Sequence, residues 1–363
     1  MNRKTAIIAG IICLLLAQGL AWFGLQPLRA QTVSAGDAIT AVEPGEFAGT
    51  LLLGGFRGLA CDLLWMRAMS AKENRRFYES VALFQAIAKV QPRFEQIWEY
   101  MSWDLAYNIA VEVDDEAGKW SWYLAGLDAN VRGSRRNPNS ERLLRHLAWM
   151  FHHKGDTFQQ RIIHAHWSAL LDPLIQDLNV RLDGSAVIPP LPHDTGITNF
   201  QLSEFWYRAA LVVAEHENKR VPAFVKRMIP HAIEKDGNLR RNRGEHLHAL
   251  QRYIVSLKAW QEVIDWLAAP DASEQDTYDK QLSRDVTETN EGRLRRKAAE
   301  LALLLAPTPE VGEIAAAAIL AREWATVEAQ LALPDWKLAH SRGGIDWLDE
   351  QASAGAAPEA NPE

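Results

Sequence analysis

The spacing of apolar and small residues between Leu64 and Phe151 constrains this chain most, because it repeats. Leu64 to Trp98 and Ala68 to Ser102 are each 34 residues apart, while Trp98 to Leu144 and Ser102 to Ala148 are each 46, one period plus twelve. Phe84 and Pro92 complete the first frame, Pro138 closes the second, and Phe151 stands in the third. A period of this length describes a helical hairpin that cannot bury its apolar face alone and has to stack on the next one. The small residues let the first helix of each hairpin approach the second closely. The twelve extra residues fit an insertion around VEVDDEAGKWSW, and Gly155 falls where the third hairpin is expected to turn.

Leu64, Ala68, Phe84 and Pro92, then Trp98, Met101-Ser102 and Leu105, then Leu144, Leu147-Ala148 and Phe151 resemble the tetratricopeptide-repeat superfamily over about residues 60–172, in three degenerate units. Leu64 and Leu144 replace its tryptophan, and Ser102 and Ala148 its glycine. GFRGLACDLLWMRA, LFQAIAKVQPRFEQIWEYMSWDLAYNIAV and RRNPNSERLLRHLAWMFHHKG are also similar to a group of membrane-anchored bacterial repeat proteins, a likeness that supplies no activity. The resemblance implies that the first helix of each hairpin lines a concave groove. The groove positions are Trp65 and Met69, then Glu99, Trp103 and Tyr107, then Arg145, Trp149, His152 and His153. Large aromatics with arginine are what protein interfaces use as anchors. The competing expectation is that these tryptophans are core, covered by other helices.

The N-terminus sets the expected compartment. After Arg3-Lys4 the chain is uncharged from Thr5 to Leu25, about 20 residues and about 30 Å of helix, enough to span a bilayer core. Arg3 and Lys4 belong in the cytoplasm by the positive-inside rule, with Trp22 at the far interface. A single-pass anchor in the bacterial inner membrane with an exported main domain is therefore expected. A cleaved signal peptide is the rival, although Leu28-Arg29-Ala30 is a poor cleavage site.

Residues 31–45 read as a stalk, 46–172 as the repeat region, 173–198 as a proline-rich connecting loop, 199–350 as a C-terminal helical region and 351–363 as a disordered tail. Within 199–350, helices are expected over Gln201–Arg220 (capped by Ser203), Gly244–Leu257, Ala259–Ala268, Glu291–Leu305 and Pro309–Leu331. DASEQDTYDKQLSRDVTETN (271–290) reads as a mobile polar excursion. No alternating strand pattern occurs, so the fold class is all-α: a transmembrane helix, an α-solenoid of degenerate hairpins, then further helices.

Net charge −7 and pI near 5.9 give no basic footprint for nucleic acid. Two cysteines exclude a disulfide framework or thiolate-rich metal site. His152 and His153 point about 100° apart on a helix, a poor ligand pair, and H-E-x-x-H, G-x-S-x-G and Walker patterns are missing from the sequence. Asp114-Asp115-Glu116 and Glu215-His216-Glu217 read as solvated charge runs. Arg240–Arg243 and Arg293–Lys297 read as helix-terminal charges near loops. No catalytic residue, metal or cofactor is assigned. The expected function is a membrane-anchored scaffold or assembly factor that binds a protein partner in the bacterial envelope. The alternatives are a permanent structural subunit of a membrane complex, or an enzyme with an unrecognised hydrolytic or metal site.

Overall fold

The computed structural model describes residues 57–158, 164–191, 197–269 and 274–332. The anchor at 5–25, the stalk and the tail lie outside the described residues, which hold only helices and no strand. No helix among them is long and apolar enough to cross a membrane. Twelve helices follow in order: α1 Arg57–Glu73, α2 Phe77–Val90, α3 Glu95–Trp103, α4 Glu116–Arg136, α5 Glu141–Phe158, α6 His164–Leu182, α7 Asn199–His216, α8 Ala223–Asn242, α9 His246–Ala268, α10 Glu274–Leu305, α11 Pro309–Ala321 and α12 Trp324–Leu331. They fall into two compact units, one of residues 1–143 and 169–189, the other of 144–168 and 190–363. The third expected hairpin, α5 with α6, is divided between them.

In the first unit α1 packs on α2 and α3 on α4, two antiparallel hairpins. Ala68 and Ser102 are fully buried, as the frame requires, and Trp98 donates its indole N–H to the Pro92 carbonyl at 2.8 Å, fastening the end of one hairpin to the start of the next. The twelve extra residues do not form a loop. The connections within and between the hairpins keep their lengths. The first helix instead runs five residues further past its anchor, through a π-helical turn Asp104–Ile109 and a 3₁₀ turn Ala110–Glu112, and α4 has 21 residues against 14 in α2. Two glycines of α4 permit this: a Cβ on Gly126 would sit 2.6 Å from the Ser102 carbonyl, and one on Gly133 2.5 Å from Trp98 Cβ. Gly155 also departs from expectation, lying inside α5 rather than at a turn.

α6 continues through Pro173 to Leu182, so the first ten residues of the expected connecting loop are helical, with Leu174, Leu178 and Leu182 buried at helical spacing.

In the second unit α7 is capped by Thr198, not Ser203. Thr198 and Gln201 form a reciprocal capping box, and Ser203 is buried inside the helix. α8 lies where no helix was expected, because Pro230 interrupts its pattern. The two helices expected over 244–268 are the single α9, and Pro309–Leu331 is broken by Arg322 in the left-handed region at φ 62°. The expected polar excursion is the opening half of α10. Its buried stripe is polar, Lys280, Ser283, Thr287 and Glu291, before it turns apolar at Leu294 and Ala298. Apolar periodicity could not register it. The core of this unit gathers Leu250, Tyr253, Trp260, Leu294 and Ile319 from α9, α10 and α11. Asp236, fully buried on α8, accepts from Thr198 Oγ1 at 2.7 Å and pairs with Arg252 Nε at 2.6 Å and Arg240 Nε at 3.3 Å, which ties α7, α8 and α9 together.

Candidate functional site

The nine groove residues expected from the sequence belong to both units, so each set stands by itself. In the first unit Trp65 and Met69 of α1 are half-buried against the core. Trp65 meets Phe84 at 5.4 Å and Tyr100 at 4.9 Å between ring centroids, and Tyr100 donates its hydroxyl to the Met69 sulfur at 3.3 Å. Tyr100 in turn lies 6.4 Å from Trp103, whose side chain reaches solvent at 37% exposure. Tyr107 follows one turn later, half-buried. Glu99 is set apart, paired with Arg142 at 2.6 Å.

Beneath this aromatic row lies a polar group that sequence reading missed. Asp104, the first residue of the π-helical turn, is 1% exposed. It accepts a hydrogen bond from Lys72 Nζ of α1 and another from Asn108 Nδ2 at 2.6 Å, and Lys72 also lies 3.4 Å from the Tyr100 hydroxyl. The π-helical turn ends where the Ala110 N–H reaches back to the Leu105 carbonyl. It carries Asp104, Leu105 and Ala106 inward in succession while Trp103 stays out. Burial opposes the charge on Lys72, but the hydrogen bond and charge of Asp104 outweigh it and raise its pKa above 10.5. Burial and the neighbouring Asp104 also raise Tyr100 above 10.0. At neutral pH the lysine is held protonated and the phenol neutral. Neither is poised as a base or nucleophile; the cluster locks α1 to α3 and presents Trp103 on a rigid floor. The 34-residue frame places Lys72 one turn past Ala68 and Asp104 two residues past Ser102, but it does not mark them as partners.

In the second unit Trp149 stacks between His146, at 6.1 Å, and His153, at 4.9 Å and 16° between planes. His153 is exposed and Arg145 half-buried. His152 turns inward and meets Phe200 edge to face at 5.8 Å. Its pKa falls to about 4, by burial first and then by the charges of Lys235, His231 and His153. His231, edge-on to Trp260 at 4.9 Å, falls to about 4 by burial and by Arg227, Arg293 and Lys235. Thus His152 and His153, neighbours in sequence, part: one is a neutral interior group and the other a surface ring.

The basic run Arg293–Lys297 lies in the middle of α10, not at a helix end. Arg293 Nη2 donates to both carboxylate oxygens of buried Glu234, at 2.9 and 3.0 Å, and Lys297 reaches Asn238. No protein-family model matches the chain, and neither the curated proteins nor the solved structures searched contain a match.

Proposed function

We propose that the chain is a protein-binding scaffold: an α-solenoid of degenerate tetratricopeptide-like hairpins, held at the bacterial inner membrane through residues 5–25, whose exported helices dock a protein partner of an envelope complex. The observation that carries this reading is the face built by α1 and α3. Trp103 stands open to solvent on a floor of Trp65, Met69 and Tyr100 that the Lys72–Asp104 pair fixes in place. A rigid, partly exposed indole on a preorganised base has the character of an interface hot spot, costing little conformational entropy on binding. The same locked charges speak for binding rather than proton transfer.

The test replaces Trp103 by a photo-crosslinking amino acid in the full-length protein and irradiates it in native membranes. The expected product is a covalent adduct with one defined protein. Trp103→Ala should cut co-purification of that protein at least tenfold, a hot-spot loss of about 1.4 kcal/mol or more, with the melting temperature unchanged. Adducts with lipid alone, or undiminished recovery by Trp103→Ala, would remove this face from consideration.

A second reading, a permanent structural subunit, is favoured by Leu59, Leu63 and Met66, a stripe on α1 that is 55, 55 and 59% exposed. In that case depletion of the crosslinked partner should leave this chain degraded or aggregated, whereas a transient scaffold persists alone.

A further inference from the structure

The opening half of α10 is turned inside out. Its buried stripe is polar and is bonded within the unit. Lys280 Nζ donates to the Ala269 carbonyl at 2.7 Å, Thr287 Oγ1 to the Ser283 carbonyl at 2.7 Å, and Glu291 accepts from Arg322 Nε and Nη2, both at 3.1 Å. The opposite stripe is apolar: Tyr278, Leu282 and Val286 follow one another at four-residue spacing and are 57, 60 and 42% exposed. They form a ridge about 12 Å long. A solvent-facing row of large apolar side chains reverses the usual amphipathic order, and such a row marks a contact surface.

The charges beside the ridge decide what it fits. Along this stretch Glu274, Asp276, Asp279, Asp285 and Glu288 outnumber Lys280 and Arg284. Both bases give a donor to carbonyls at the end of α9, Lys280 to Ala269 and Arg284 Nη2 to Leu267 at 3.4 Å. Asp285 and Glu288 are exposed and enter no ion pair among the described residues. The charge beside the ridge is therefore negative, which disfavours an anionic lipid surface. It equally disfavours a second copy seated two-fold on the same ridge, because each chain would bring its acids against those of the other.

We propose that this ridge docks an amphipathic helix of a partner protein, one whose apolar row is flanked by lysine or arginine. Tyr278, Leu282 and Val286 lie on an i±4n row, the kind that seats in the groove between like rows of a second helix. Asp285 and Glu288 run along one flank of that row and meet the partner's cations at the rim, where charge sets orientation and partner choice more than affinity. Tyr278 adds an aromatic face and a hydroxyl. Three side chains on one helix suit a short segment, since a stable globular pair needs roughly 800 Å² per partner. The inference concerns the second unit and stands apart from the Trp103 face.

The probes are two synthetic helical peptides with leucines at i, i+4 and i+8, one flanked by lysines and the other by glutamates. They are titrated by fluorescence anisotropy into the full-length protein in phosphatidylcholine nanodiscs, with empty nanodiscs as the blank. The lysine-flanked peptide should bind saturably and the glutamate-flanked one at least tenfold more weakly. Leu282→Ser should weaken the lysine-flanked peptide at least fivefold. Leu304→Ser, at a residue 76% exposed near the other end of α10, should change it less than twofold. Asp285→Lys with Glu288→Lys should reverse the preference between the peptides. All four positions are exposed, and each variant is first shown to melt like the parent. A photo-crosslinking amino acid in place of Leu282 then reports the occupant in native membranes. An adduct mapped to a lysine- or arginine-flanked helix of another protein supports the proposal, and an adduct with a second copy or with residues 333–363 of the same chain overturns it. Equal binding of the two peptides, or equal losses from Leu282→Ser and Leu304→Ser, overturns it as well.

Discussion

Asp104 is 1% exposed, and Lys72 is its single cationic partner among the described ion pairs. Removing one member of such a pair strands the other as an uncompensated charge, which costs more than the pair itself contributes. Lys72→Met should therefore destabilise the first unit by about 3 kcal/mol in urea denaturation. In an Asp104→Asn background, where the Asn108 hydrogen bond can persist, the same substitution should cost about 1 kcal/mol or less. The folded pKa of Lys72 is raised, so its stabilisation is complete below 10.5 and is lost only as pH climbs through the raised value. Neither residue was legible in the sequence as a partner of the other, because a polar group adds nothing to an apolar period. Ala68, Ser102, Trp98 and Pro92 were legible, because size and spacing alone define their places.

The pairing of α3 with α4 shows how a helix can absorb an insertion. The extra residues lengthen both helices, and contact along them is kept because Gly126 and Gly133, seven residues apart, offer no side chain to the backbone of Ser102 or to Trp98. Gly126→Ala would gain helix propensity in a free peptide. Here its Cβ would strike the Ser102 carbonyl at 2.6 Å, a backbone atom that cannot rotate aside, so a loss of about 2 kcal/mol is expected, measured by urea midpoint at constant m-value. Two glycines at heptad spacing, well inside a helical run, mark one helix face as a place of close backbone approach. α10 was harder to read: its first half buries Lys280, Ser283, Thr287 and Glu291, and only their partners on other segments reveal that stripe as an interior one. α8 was hidden for a different reason, since Pro230 sits at an interior position that usually ends a helix.

Across the whole molecule, all eleven histidines belong to the second unit and none to residues 1–143 or 169–189. Two of them, His152 and His231, are held neutral in the folded chain, their pKa lowered from 6.5 to about 4. The unfolded chain takes up those protons first, so stability is undiminished above pH 6.5, declines as pH falls towards 4 and levels off below. At about 1.4 kcal/mol per pKa unit the pair amounts to several kcal/mol. Exchange mass spectrometry in urea at about pH 7 and about pH 4.5 should show peptides from α7–α9 unfolding at much lower urea in acid, with those from α1–α4 moving less. His152→Leu should shrink that acid loss by roughly half, since it removes one of the two depressed groups. The all-helical class and the first two hairpins were readable from periodicity; the division into units was not, because it cuts α5 after Leu143, inside an unbroken apolar pattern.

The buried ion pairs have a consequence for how the chain finds its own order. Helices that pack through apolar faces are poorly distinguished by those faces alone, and one could seat against the wrong neighbour or one turn out of step. Lys72 with Asp104, Arg252 with Asp236, Arg293 with Glu234 and Arg322 with Glu291 each place an almost fully buried carboxylate against a cation from another segment. A slipped arrangement would strand a charge in each case, at several kcal/mol. The ions thus act as keys cut differently for successive joints, so that order along the chain becomes order in space.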